Sequence, residues 1–403
     1  MALMNRTTDL RRTLGRLRRR ITGAESEALH TQVAELAGEV STMAAQMQQA
    51  GREPVRRVDV AILSDFRLRG GTTASIAEEV RAQSAAGLST ALIHAQSVVT
   101  TTVTGFSRHI QSVMGLPGVH IVSPRAELDA ALLVIRHPTV IGTSAARFGK
   151  ISVDQVVIVA NHPAIDAEGT WHYSVQDVEK KAFETFKVQA QWAPISPVVR
   201  SSLLAQRVPG LNIADQDWAN IFGQEVVITP RAGFVTDRPV IGRHSRPEKE
   251  KWPATAKDIL AAYPDSTHYR VEVLGGAAVP EEILGEVPKT WQVQPFGAEA
   301  PAEFLQRIDF WVYMHHPGWS EAFGRAIMEA LAAGCLVMLP HYLREIFGDA
   351  AVYAEPGEVK GLIDQYWMDH EAFLAQSQRG QQFAVDHGPG RHVERLRWLG
   401  VTP

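Results

Sequence analysis

Residues 315–340 read HHPGWSEAFGRAIMEALAAGCLVMLP: a polar turn with Pro317 and Gly318, an amphipathic helical stretch, and a short buried strand. The strand-like run FWVYM comes immediately before, so strand, helix and strand follow one another. The same alternation extends in both directions. Downstream lies AAVYAE; upstream lie WQVQPFG, YRVEVLGG, a helix around Ala254 to Tyr263, and PVIGRHS. An earlier series, before the Pro- and Gly-bearing stretch TPRAGFVTDRP, starts at Val58. It contains VDVAILSDF, the helical IAEEVRAQSAAGL ending at Gly87, STALIHA, GVHIVS, ALLVIRHP and VDQVVIVANHP. Short apolar strands alternating with helices predict parallel sheets covered on both faces. The expected class is α/β, with two doubly wound domains, 55–230 and 236–385, that part between Ile228 and Pro239. A cleft is expected between the carboxyl ends of the two sheets. The tail, 386–403, either caps the second domain or crosses back to the first.

Residues 1–50 differ from the rest. Apolar residues recur at Leu10, Leu14, Leu17 and Ile21, then at Leu29, Val33, Leu36, Val40, Met43 and Met47. This heptad stripe predicts an N-terminal helical extension, broken near Thr22-Gly23. Seven arginines between Arg6 and Arg20, against the single acid Asp9, make its first part cationic. Two readings stand: a solvated basic face on an oligomerising or docking helix, and attraction to an anionic membrane surface.

The chain has 403 residues, 45% of them hydrophobic and 21% charged, which is enough for two cores. A formal net charge of -4 gives no global drive toward nucleic acid. The one cysteine, Cys335, excludes an internal disulfide framework and a thiolate zinc cluster; within AAGCLVML it behaves as a small hydrophobe. No run approaches the roughly eighteen apolar residues of a membrane span, and the basic N-terminus lacks a signal-type hydrophobic core. The expectation is a soluble cytoplasmic protein, at most peripheral at the inner face of the membrane.

Glu321 and Glu329 stand eight residues apart. On one helix that spacing advances about 12 Å and turns to within about 80° of the same face, so both carboxylates would address polar groups of one elongated ligand. Backbone N–H groups near Ala322, Phe323 and Gly324 fall at the expected helix start, where unpaired donors and the macrodipole favour an anion. A nucleotide sugar, with hydroxyls at both ends and a diphosphate between, fits; an amphipathic helix with two solvated glutamates fits the same spacing. In the first domain, Gly70-Gly71-Thr72 follows a strand and precedes a helix, which suits either close approach to a phosphate or a tight strand–helix turn. It lacks the third glycine of a dinucleotide fingerprint, which argues against a nicotinamide enzyme. His137 and His162 each end a buried strand and are expected at the cleft, unless the backbone satisfies them. His315 and His316 follow FWVYM and are candidates for the pocket wall. HHP finds no further ligands at zinc spacing, so no metal is expected. Asp65 and Arg67 lie beside the glycine loop, as acceptor contacts or as a solvated charged loop.

The segment Ser320-Glu321-Ala322-Phe323-Gly324, with Glu329-Ala330 and Ala333-Gly334 after it, resembles the E-x7-E motif of retaining GT-B glycosyltransferases, the large family of bacterial mannosyl- and glucosyltransferases. That resemblance implies two Rossmann-like domains facing a central cleft. It further implies that Glu321 approaches the donor sugar hydroxyls and that Glu329 holds the ribose. Ala322 stands where the family usually has Gly. Upstream, Gly242-Arg243 with Lys249 and Lys251 is similar to the family's diphosphate clamp, in which Arg243 binds the phosphates bidentately and a lysine adds point charge; Lys251 is preferred over Lys249. A basic surface turn is the other reading of that segment. Gly70, Gly71 and Thr72 match the family's glycine-rich loop by position, and His137 the histidine near donor sugar and acceptor. His244 is left to orient the loop. Asp65, His162 and His316 are acceptor-side candidates.

The expected activity is transfer of a hexose-like sugar from a nucleoside-diphosphate donor to a hydroxyl acceptor: a glycan, a lipid-linked glycan or a small molecule. Retention at the anomeric carbon is implied by the resemblance alone. No cofactor and no divalent metal are expected, because cationic side chains can supply the charge. A nucleotide-sugar epimerase and a non-catalytic scaffold on the same fold are the alternatives.

Overall fold

The computed structural model describes residues 57–403, except 69, 101–104, 167, 224–227 and 229, together with 40, 42 and 43. Apart from Val40 and Met43, the heptad stripe lies outside the described residues.

Two six-stranded sheets organise the chain. The first contains β1 (Arg57–Ser64), β2 (Thr90–His94), β3 (Val119–Val122), β4 (Leu128–Arg136), β5 (Ile151–Ala160) and β6 (Ala190–Pro194), in the order β3-β2-β1-β4-β5-β6. The second contains β7 (Val240–His244), β8 (Arg270–Leu274), β9 (Trp291–Gln294), β10 (Phe310–Val312), β11 (Leu336–Leu339) and β12 (Val352–Tyr353), in the order β12-β11-β10-β7-β8-β9. Every pairing is parallel. Val60, Ala61, Ile62 and Leu63 on β1, and Leu336 to Leu339 on β11, are fully buried, as strands covered on both faces must be.

Counted from its own first strand, each sheet has the same doubly wound order, with the direction of winding reversing beside that strand. In such sheets the crevice for ligands opens at the reversal, outside the carboxyl ends. The reversal lies between β1 and β4 in the first sheet and between β7 and β10 in the second. The loops leaving β1 and β4 therefore border one ligand crevice, and those leaving β7 and β10 border the other.

The helix His370–Asp386 packs on the second half, where Ser377 Oγ donates to the Gly334 carbonyl at 2.7 Å. The next helix, Pro389–Trp398, crosses back to the first half. There His392 Nε2 lies 2.9 Å from Gln83 Nε2, and Gln155 Nε2 donates to the Leu399 carbonyl at 2.8 Å. Of the two readings of the tail, the crossing is the one found.

Candidate functional site

In the second half, the helix after β10 runs from Arg325 to Ala332, so only Glu329 is helical. This corrects the expectation that one helix carries both carboxylates. The cause is Gly324, whose φ of 84° ends the incoming loop at the N-cap; a Cβ there would also lie 2.5 Å from Ile327 Cδ1. Glu321 sits in the preceding loop, where its N–H donates to Tyr342 Oη at 2.8 Å. Phe323 is buried against Phe347 and His387, which anchors that loop to the core.

Glu321 Oε2 lies 2.7 Å from Lys251 Nζ and accepts from Tyr313 Oη at 2.8 Å. Lys251 Nζ also donates to Tyr313 Oη at 3.1 Å and sits 4.4 Å from the Trp319 ring centroid. Burial opposes ionisation of Glu321, yet the Lys251 ammonium and the Tyr313 hydroxyl hold its carboxyl below the usual range. Glu329 is likewise opposed by burial, and held low by His244 and Arg325, at 3.0 Å each. Both carboxylates are thus anions, with side chains 15% and 20% exposed.

Lys251 ends the short turn Lys249–Lys251 and points into this cluster, whereas Lys249 is exposed. Arg243 does not open onto the pocket. It is fully buried, its guanidinium 3.8 Å from the Trp252 ring centroid, and it donates to Tyr263 Oη at 3.0 Å, to Ser245 Oγ at 3.2 Å and to the Lys251 carbonyl. In this structure the side chain braces the turn that carries Lys251. His315 donates from Nδ1 to the His316 carbonyl and lies 2.9 Å, through Nε2, from Tyr342 Oη. His316 Nδ1 accepts from the Gly318 N–H at 3.0 Å.

Across in the first half, Gly70 has φ 98° and caps the helix Gly71–Ala85, while a Cβ on Gly71 would meet nothing within 4 Å. Thr72 Oγ1 accepts from Asn161 Nδ2 at 2.6 Å, joining the glycine loop to the end of β5. His137 and His162, after β4 and β5, lie 4.5 Å apart between ring centroids, tilted by 32°. Each has a buried Nδ1 with no hydrogen-bond partner, and His137 holds the unusual φ of 78°. Burial pushes their pKa values down to about 4 and about 3, so both rings are neutral. Asp65 and Arg67 are not a solvated loop. They form a fully buried bidentate pair, with Asp65 also accepting from the Ser97 N–H at 2.9 Å.

Sequence reasoning placed Trp319 beside the pocket with Ala322, but missed Tyr313, Tyr342 and Asn161. Tyr313 had a usable signal, since it directly follows β10 beside the crevice. A cavity of about 610 Å³ lies elsewhere, between β6 and the C-terminal helix, lined by Trp218, Arg391, Arg395 and Trp398. It shares no residue with the carboxylate cluster. Among the described residues, no His, Cys, Asp or Glu group suits a metal ion, and no helix is long and apolar enough to cross a membrane.

A glycosyltransferase from Rickettsia africae ESF-5 is similar in structure, with a TM-score of 0.57 at 10% identity, over 86% of this chain and 98% of that one. This chain has the GT-B fold. The lipopolysaccharide outer core galactosyltransferase WaaB is also similar to this GT-B chain, with a TM-score of 0.52 at 9% identity, over 85% and 99% of the two chains. Against TarM of S. aureus the GT-B match covers 67% of this chain and 55% of that one, at 12% identity and a TM-score of 0.48. The chain thus spans little more than half the length of TarM. No family model matches the sequence, and no curated protein is similar to it in sequence.

Proposed function

We propose that this GT-B protein is a retaining glycosyltransferase that moves a sugar from a nucleoside-diphosphate donor to a hydroxyl acceptor. One arrangement carries the reading. After β10 come two ionised, partly exposed carboxylates, Glu321 paired with Lys251 from the turn after β7, and Glu329 with Arg325 and with His244 at the end of β7. Glu321 takes the sugar hydroxyls and Glu329 the ribose. Lys251 leaves Glu321 for the diphosphate and stabilises it as the bond breaks. The N–H groups around Ala322 to Gly324 and the Gly70-Gly71 turn approach the same phosphates. Residues 55–230 hold the acceptor and 236–385 the donor.

The bond from the anomeric carbon to the diphosphate oxygen breaks, with its electron pair passing to the diphosphate. The acceptor oxygen attacks the same face of the oxocarbenium-like sugar, and its proton goes to the departing diphosphate. Neutral His137 hydrogen-bonds the sugar or acceptor without adding charge. Lys251 and Arg325 supply the countercharge, so no divalent metal is required.

The test is thermal stabilisation by a panel of nucleoside diphosphates and nucleotide sugars, on the wild type and on Glu329→Ala. A ligand that binds only the native state raises the midpoint by mass action. One nucleotide should raise it for the wild type and not for the variant; a panel without effect on the wild type refutes the donor site.

A further inference from the structure

We propose that His244 is a positioning residue, locked by Trp311 in one tautomer so that it fixes Glu329 as an acceptor for the donor's ribose diol. The inference rests on the donor-site reading above. Trp311 Nε1 donates to His244 Nδ1 at 2.9 Å. An indole N–H can only donate, so Nδ1 accepts and the neutral ring carries its proton on Nε2. That Nε2 lies 3.0 Å from Glu329 Oε2, which accepts. The other oxygen, Oε1, accepts from Arg325 Nε at 3.0 Å. One lone pair of each carboxylate oxygen is thereby committed, and one of each remains, two acceptors matched to two vicinal hydroxyl donors.

Exposure falls stepwise along the relay: 20% for the Glu329 side chain, 7% for His244, and none for Trp311. Trp311 and His244 lie on the paired strands β10 and β7, in register Trp311 with Gly242, and Phe304 packs against the His244 ring at 6.1 Å between centroids. The ring cannot turn over without breaking both of its hydrogen bonds. Arg325, 40% exposed, does not fix the carboxylate by itself. The residue after the Gly-Arg pair therefore sets the aim of Glu329 from the core outward.

The experiment measures affinity by calorimetry for whichever of ADP, GDP or UDP the wild type binds, and for its 2′,3′-dideoxy form. The wild type should prefer the ribo form by roughly tenfold or more. His244→Phe should bind the ribo form as weakly as the dideoxy form, with the dideoxy affinity unchanged; His244→Gln, which restores an N–H near the Nε2 position, should recover the preference. A His244→Phe protein that keeps the wild-type ratio, or weakens both forms equally, overturns the positioning role but leaves the donor site. A wild type that binds without preferring the ribo form also overturns it. A wild type that binds no nucleoside diphosphate overturns the donor reading and this inference together. Nitrogen-15 shifts of the His244 ring in the unmodified protein test the tautomer without any variant: a proton on Nε2 and none on Nδ1 is expected, and the reverse overturns the relay.

Discussion

The Arg243 guanidinium stacks 3.8 Å from the centroid of the Trp252 ring and donates a hydrogen bond to the carbonyl of Lys251. One buried cation thereby holds the turn whose last residue reaches Glu321. Arg243→Lys keeps the charge but loses the planar stack and the forked donors. It should lower stability by about 2–3 kcal/mol in urea titration. Unchanged stability with weakened nucleotide binding would mean instead that Arg243 faces the ligand.

Lys251→Met leaves Glu321, 15% exposed, without its cation, at a cost of about 1–3 kcal/mol. Glu321→Gln beside it relieves most of that penalty. A double-mutant cycle should give a coupling of about 1–3 kcal/mol between them; additive effects would show that the pair is not made in solution.

Gly70 and Gly71 should respond differently to alanine. Gly70→Ala forces a side chain into φ 98° and should cost about 1–2 kcal/mol. Gly71→Ala meets no neighbour and begins a helix, so stability should hold or rise slightly. Loss of nucleotide affinity in Gly71→Ala at unchanged stability is the expected sign that this turn approaches a phosphate.

His137 and His162 carry pKa values lowered by burial from 6.5 to about 4 and about 3. Between those values and 6.5 the unfolded chain binds protons that the folded one refuses. Their contribution is therefore present above pH 6.5 and is lost as the pH falls toward 4. Melting temperatures of His162→Gln should fall less between pH 6.5 and 4.5 than those of the wild type. An equal fall would place the titration elsewhere.

Much of the architecture was legible because buried parallel strands are short apolar runs: VDVAILS, ALLVIR and CLVML became β1, β4 and β11. The strand β6, AQWAP, escaped because Gln191 and Pro194 interrupt the apolar signal, although Trp192 inside it is fully buried. The carboxylates were found by spacing, but the spacing misled about their support, since Gly324 breaks the helix that eight residues suggest. Arg243 was read from its likeness to a Gly-Arg-x(n)-Lys clamp, and Asp65 from its place beside the glycine loop. Whether a charged side chain faces a pocket or the core depends on partners distant in sequence, such as Tyr263 for one and Ser97 for the other. The Trp311–His244–Glu329 relay was hidden for the same reason, being assembled from two strands and a helix 85 residues apart at its widest.

Because the last helix returns to the first sheet, the polypeptide passes between the halves twice, once after β6 and again at Gly388. A body tethered at a single point can swivel in any direction, whereas one held at two points turns chiefly about the line joining them. Any movement of one half against the other is then closer to the travel of a door on two hinges than to the drift of beads on a string.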